Sequence, residues 1–185
     1  MKIIAGKYKG RVVPTVKGSN YRPSTAKFKE ALFSILSSGE FAQDNPLLNA
    51  SVLDLFSGSG SLSFEAVSRG AKTALLVDTN RIHLETAKSF AEKIGESTNI
   101  KRLQTNVLHL SYTPFKYNLV FLDPPYYNDM VDKVLRGLIQ NNWLAQGAII
   151  AIEMEKAKTI KGYDSLTVLK EKIYGNSKLL ILKHI

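Results

Sequence analysis

The tetrapeptide Asp123-Pro124-Pro125-Tyr126, directly after the apolar run Leu119 to Leu122, carries the most particular chemistry in the sequence. The lone pair of an exocyclic amine on a nucleobase is delocalised into the ring. Such a nitrogen attacks an electrophilic carbon poorly until acceptors hold its hydrogens and favour a pyramidal geometry. The Asp123 carboxylate and the Pro124 carbonyl can supply two acceptors, and consecutive prolines limit the backbone freedom that would spoil their aim. Tyr126 offers a flat face for a base taken out of its stack. Taken alone, the same four residues also fit a rigid turn that closes a strand, so the rest of the chain has to decide.

A second constellation precedes it. Asp54-Leu55-Phe56-Ser57-Gly58-Ser59-Gly60 ends one apolar run and leads into a helical pattern from Ser61 to Arg69. Gly58 and Gly60 lack the Cβ atoms that would keep a cofactor from the backbone. A dinucleotide fingerprint would place a third small residue, usually Gly, where Ser63 stands, which argues mildly against a nicotinamide cofactor. Asp78, 20 residues after Gly58, ends the next apolar run, where a carboxylate can accept both hydroxyl hydrogens of a ribose. Such a ribose occurs in both NAD and S-adenosylmethionine; the Asp-Pro-Pro-Tyr chemistry selects S-adenosylmethionine. Phe56 lies within the glycine loop among the expected cofactor-binding positions, although its type, like that of Trp143, suits packing better.

These residues need a scaffold. Val52 to Phe56, Thr73 to Val77, Ile100 to Gln104, Leu119 to Leu122 and Ala148 to Ile152 read as strands. Helical stripes run through Phe28, Ala31, Leu32 and Ile35, through Ala87, Phe90, Ala91 and Ile94, and through Val131, Val134, Leu135 and Leu138. The first of these helices begins near Pro23-Ser24-Thr25 and ends at Gly39, and the stretch Glu40 to Asn49 is a loop. Strand and helix in alternation give an α/β fold with a mostly parallel sheet covered on both faces. Leu166 to Tyr174 and Lys178 to Lys183, parted by Gly175-Asn176-Ser177, end the seven-stranded sheet in an antiparallel hairpin. By count, Leu119 to Leu122 is the fourth strand and lies beside the first, across the pocket from Gly58 and Gly60. Glu153 either faces that pocket or caps the sheet.

The 185 residues suffice for one globular domain, with a net charge of +9 and no cysteine. The missing thiols exclude disulfides, a thiolate nucleophile and cysteine-ligated zinc, and His83, His109 and His184 lack metal-ligand spacing. No run is apolar enough for a membrane span or signal peptide, so the protein is expected in the cytoplasm. Residues 1 to 30 hold eight basic side chains against the single acid Glu30, leaving a nearly neutral remainder. Lys7, Lys9, Arg11 and Arg22, interleaved with Tyr8 and Tyr21, form the electrostatic footprint expected for nucleic acid. The alternating run Ile3 to Val16 reads as a β-hairpin. Residues 1–22 are accordingly taken as a basic N-terminal β-hairpin extension that contacts RNA, and 23–185 as the catalytic domain.

The set Asp-Leu-Phe-Ser-Gly-Ser-Gly, Asp78 and Asp-Pro-Pro-Tyr resembles the amino-methyltransferases, a Rossmann-like class I S-adenosylmethionine-dependent methyltransferase group. Ile3-Ile4-Ala5-Gly6-Lys7-Tyr8-Lys9-Gly10-Arg11, Arg22-Pro23-Ser24, Glu30-Ala31-Leu32-Phe33, Glu65-Ala66-Val67-Ser68-Arg69-Gly70, Asn142-Trp143-Leu144 and Tyr174-Gly175 extend the resemblance to the bacterial 16S rRNA guanine-N2 methyltransferases. The resemblance implies cofactor binding by Asp54, Gly58, Gly60 and Asp78, adenine contact by Asn106, and catalysis by Asp123, Pro124 and Tyr126. It also implies methyl transfer to N2 of a guanine in 16S rRNA, within the 30S subunit or an assembly intermediate, by a protein that is a monomer by default. Departures are Asn106 where Asp is common, Ser57, Ser61 and Ser63 where Ala or Gly is typical, and Ser24 for Thr. Thr25 keeps a hydroxyl next door and joins the expected cofactor-binding set.

Two other readings compete. A DNA adenine-N6 methyltransferase would use the same acceptors, but it would need a segment to read a duplex, and these residues hold none. A non-catalytic RNA-binding or assembly protein on a methyltransferase fold would keep the basic segment and make no use of Asp123.

Overall fold

The computed structural model describes residues 1–16, 26–38, 41, 44–124 and 130–185. Seven strands form one sheet in the order β3-β2-β1-β4-β5-β7-β6. They are β1 (Ser51–Leu55), β2 (Thr73–Asp78), β3 (Ile100–Gln104), β4 (Tyr117–Leu122), β5 (Leu144–Glu155), β6 (Leu166–Tyr174) and β7 (Ser177–His184). β1 to β5 pair in parallel, and β7 pairs antiparallel with both β5 and β6. The order reverses between β1 and β4, so a crevice opens at their carboxyl ends. β1 and β4 are buried through most of their length because both sheet faces are covered, as continuous apolar runs require.

Helices α1 (Ala26–Leu36), α2 (Ser61–Ser68) and α3 (Arg81–Lys93) pack through Phe28, Leu32, Phe64 and Phe90 on one face; α4 (Met130–Gln140) packs through Val134, Leu135 and Leu138 on the other. Asn80 caps α3 by accepting from the backbone of Ile82 and His83. Trp143 is buried on the α4 side, stacked on Tyr117, and donates its indole N–H to Ser111 O at 2.9 Å. It is a packing residue, as its type suggests. No described helix is long and apolar enough to cross a membrane.

Two elements differ from the sequence expectation. β5 runs from Leu144 to Glu155, longer at both ends than Ala148 to Ile152, because its pairing with β4 tolerates a register shift near Gly147, whose φ is +76°. Among the described residues of the N-terminal segment, the expected hairpin is short: one antiparallel bridge, Lys2 to Val12, with Ile3 N–H donating to Arg11 O, Gly10 N–H to Ile3 O and Val13 N–H to Met1 O. Four donors of its middle go instead to the body: Ile4 and Ala5 donate to Glu65, Lys7 to Ser68 O, and Tyr8 to Ser68 Oγ. Ile3, Tyr8 and Val13 are buried in the same apolar cluster as α1 to α3.

This attachment centres on Glu65, which is fully buried. Its carboxylate takes the backbone N–H groups of Ile4 (2.7 Å) and Ala5 (3.1 Å), Arg69 Nε (2.8 Å), and lies 3.3 Å from Nζ of the buried Lys29. Burial pushes the Lys29 amine down against the opposing attraction of Glu65. Lys29 also donates to Lys2 O at 2.8 Å, so one ion pair joins α1, α2 and the N-terminal segment. At Gly6, with φ +83°, an added Cβ would fall 1.8 Å from Ser68 O, so only glycine permits this approach. Removing one partner of a buried ion pair strands the other, at a cost of about 3–5 kcal/mol. Glu65→Ala is therefore expected to lower unfolding stability by about that amount in urea titration, and the double change Glu65→Leu with Lys29→Met by clearly less. Equal losses would show that the charge pairing does not hold this corner together.

Candidate active site

The crevice is built from the ends of β1, β2 and β4. β1 stops at Leu55; Phe56 then takes φ +62°, an uncommon conformation for a bulky residue, and turns the chain sharply toward α2. Phe56 is half-buried against the α4-side cluster, in keeping with a packing role. The turn is fixed by backbone bonds: Ser57 N–H donates to Val77 O at 3.1 Å, and Gly60 N–H to Ser57 O at 2.8 Å. Gly58 (φ +53°) and Gly60 (φ +82°) occupy the left-handed region, and a Cβ on Gly60 would lie 2.5 Å from Leu76 Cδ2. Gly58 N–H donates to Asp78 Oδ2 at 2.8 Å while Asn80 N–H donates to Asp78 Oδ1 at 2.8 Å. Both Asp78 oxygens are thereby aimed, and each keeps acceptor capacity.

Asp54 lies at the bottom of the crevice, 2% exposed. Its Oδ2 accepts from Ser63 Oγ at 2.7 Å and Ser63 N–H at 3.2 Å, so the serine standing at the third fingerprint position is the carboxylate's partner. Burial raises its pKa to about 7; the Ser63 bonds oppose the rise, while the charges of Asp123 and Asp78 add to it. Asp54 thus feels the charges of both Asp123 and Asp78, and neither Asp54 nor Asp78 has an ion pair among the described residues. The Ser57 hydroxyl beside it is buried without a hydrogen-bond partner among the described residues.

Asp123, partly buried, and Pro124, buried, follow β4, whose Leu122 pairs with Leu55 of β1. They thus stand next to the start of the glycine loop. Asn106, beyond β3, is exposed and caps a short 3₁₀ turn (Val107–His109) by accepting from Leu108 N–H at 2.9 Å. The expected site residues Tyr126 and Thr25, and the expected RNA ligand Arg22, lie outside the described residues. Lys7, Lys9 and Arg11 are exposed. Lys7 Nζ is 3.3 Å from Glu96, a carboxylate that also accepts from the Tyr8 hydroxyl. Glu153 is buried on β5.

Because the folded-state pKa of Asp54 exceeds its ordinary value of 3.8, the folded protein holds a proton that the unfolded chain releases. This stabilisation is complete below pH about 4 and is lost as pH rises to about 7, a fall of up to about 4 kcal/mol. Chemical unfolding from pH 4 to 8 should show this decline superimposed on other titrations. The difference between wild type and Asp54→Asn should change over the same range, and a constant difference would contradict the assignment.

The family model described as "Conserved hypothetical protein 95" matches residues 1–183. An uncharacterized methylase of Rickettsia prowazekii is 39% identical, covering 100% of this chain and 98% of its own. The ribosomal RNA small subunit methyltransferase D of Haemophilus influenzae is 33% identical over 95% of this chain and 89% of its own. Among solved structures, a putative methyltransferase of Escherichia coli superposes with a TM-score of 0.85 at 27% identity, covering 100% of this chain and 97% of that one. An RNA methyltransferase of Salinibacter ruber, solved with S-adenosyl-L-homocysteine, shares the fold at a TM-score of 0.65 and 11% identity over 88% of this chain and 94% of that one. With a class I methyltransferase fold and a family match over nearly its whole length, the chain belongs to the family of the ribosomal RNA small subunit methyltransferases D.

Proposed function

We propose that this protein is an S-adenosylmethionine-dependent methyltransferase acting on the exocyclic N2 amine of a guanine in 16S rRNA. The observation that carries the reading is the placement of Asp123 and Pro124 at the end of β4, beside the glycine loop and the carboxylates of Asp54 and Asp78. Relatives named for the small ribosomal subunit support the substrate class.

The residues fit the cofactor. Gly58 and Gly60 leave room for it, Asp78 has lone pairs for ribose hydroxyls, and Asn106, beyond β3, is the residue proposed to contact the adenine. The excess negative charge around Asp54 suits a ligand that carries an ammonium and a sulfonium. Bound S-adenosylmethionine supplies an electrophilic methyl group. The chain's own contribution is orientation: Asp123 and the Pro124 carbonyl accept the amine hydrogens, Tyr126 supports the base, and Asp123 is the carboxylate placed to receive the proton the nitrogen gives up. The absence of cysteine agrees with direct transfer that forms no covalent enzyme intermediate.

Asp123→Ala is expected to lower the methyl-transfer rate by about 100-fold or more while S-adenosylmethionine still binds in calorimetry. Near wild-type transfer would refute the mechanism. Lys9 and Arg11, with Lys7, are further proposed to hold RNA phosphates. Replacing all three with Ala should weaken RNA binding and flatten its salt dependence without altering cofactor affinity. An equal loss of cofactor binding in the same calorimeter would overturn that division.

A further inference from the structure

The basic turn at Lys7 and Lys9 and the proposed reacting centre lie toward opposite ends of the sheet. α2 starts at the glycine loop and descends from Ser61 to Ser68, about 10 Å for its length. The turn is fastened at that lower end, through Lys7 N–H to Ser68 O and Lys7 Nζ to Glu96, which follows α3. A different basic surface leaves the carboxyl end of β5, the strand that pairs with β4, which leads into Asp123. β5 is in register with β4 at Leu122 and Ile152, then continues three residues to Glu155, about 10 Å beyond the level at which β4 ends. Lys156, Lys158 and Lys161 leave from that raised end, all exposed, with no acid among residues 156–161.

This segment is held in place at both ends. Lys156 N–H donates to Asn176 O in the β6–β7 turn at 3.0 Å, and Lys161 N–H donates to Asp132 Oδ1 at 2.9 Å. Tyr163 donates its hydroxyl to the same Asp132, whose carboxylate pushes the phenol up to about 12 together with burial, the larger cause. Asp132, in the first turn of α4, is thus occupied by the segment's own backbone and by Tyr163. Ile160 packs on the α4-side cluster, which leaves the lysine side chains outward.

We infer that residues 156–161 form the ridge that grips the RNA backbone next to the target nucleotide, Lys156, Lys158 and Lys161 each facing phosphate. The inference rests on the methyl-transfer reading of Asp123. A base drawn out of its stack to that carboxylate brings its flanking phosphates to the nearest wall, and backbone contacts of this kind set register without reading sequence.

The test compares K156A/K158A/K161A with K72A/K93A/K101A, three exposed lysines at the amino ends of β2 and β3 and the end of α3. The probe is unmodified 16S rRNA over a range of salt. The ridge variant should lose about 2 from the slope of log affinity against log salt and raise the KM for RNA roughly tenfold, with kcat and cofactor affinity retained. The remote variant should match wild type, and K156R/K158R/K161R should restore binding. A ridge variant indistinguishable from wild type, or equal losses in both alanine variants, overturns the ridge while leaving the reaction intact. A wild-type protein that binds S-adenosylmethionine yet methylates no rRNA overturns the reaction and the ridge together.

Discussion

The buried carboxylate of Glu65 is a constraint from which much of the architecture follows. It sits on α2, the helix that issues from the glycine loop, and it is sealed from bulk solvent. Its partners come from three places in the chain: Ile4 and Ala5, Lys29 on α1, and Arg69 at the end of its own helix. Arg69 in turn lies 5.0 Å over the Phe33 ring, so the charged cluster is continuous with the apolar packing of α1. Were this knot absent, neither the N-terminal segment nor α1 would be tied to α2 by charge. A buried ion pair is weak evidence for net stability, but a strong constraint on which segments must meet.

α2 positions the site because it is held from behind. Ser63 reaches back from its first turn to Asp54, and the loop that leads into it turns on the conformations of Phe56, Gly58 and Gly60. Asp78 closes the other side by accepting the Gly58 N–H, so the same carboxylate that is proposed to meet a ribose also shapes the loop. Burial is the main reason the pKa of Asp54 is raised, and the nearby charges of Asp123 and Asp78 add to it. A nearby positive charge would favour the ionised form of Asp54 and offset part of that rise.

The sheet and the crevice were largely legible in the sequence because their signals are local. Apolar runs marked β1 to β4, two glycines marked the turn, and the position of Asp-Pro-Pro-Tyr after the fourth run placed Asp123 beside β1. What could not be read depends on contacts between distant residues. Glu65 and Lys29 look like surface charges in a one-dimensional reading, since nothing local distinguishes a buried pair from two solvated ones. Ser63 seemed only a departure from a fingerprint, although a hydroxyl one turn into the helix was the available signal for a partner to Asp54. The run from Ile3 to Val16 has strand-like alternation and closes a short hairpin between residues 1–3 and 10–13, but nothing local shows that Glu65 and Ser68 take the N–H groups of Ile4, Ala5 and Tyr8. Gly147 and Gln146 interrupt the apolar run of β5, so the sequence shows only its middle, and its continuation past Ile152 carries the lysine segment beyond the end of β4.

The most direct test of the central claim is the identity of the methylated nucleoside. Purified protein and methyl-labelled S-adenosylmethionine would be incubated in parallel with unmodified 30S subunits, free 16S rRNA and DNA, and each digest resolved by mass spectrometry. The account predicts label in N2-methylguanosine from the ribosomal substrates and none from DNA. Label in N6-methyladenine from DNA, or no label in rRNA from a protein that still binds the cofactor, would contradict it.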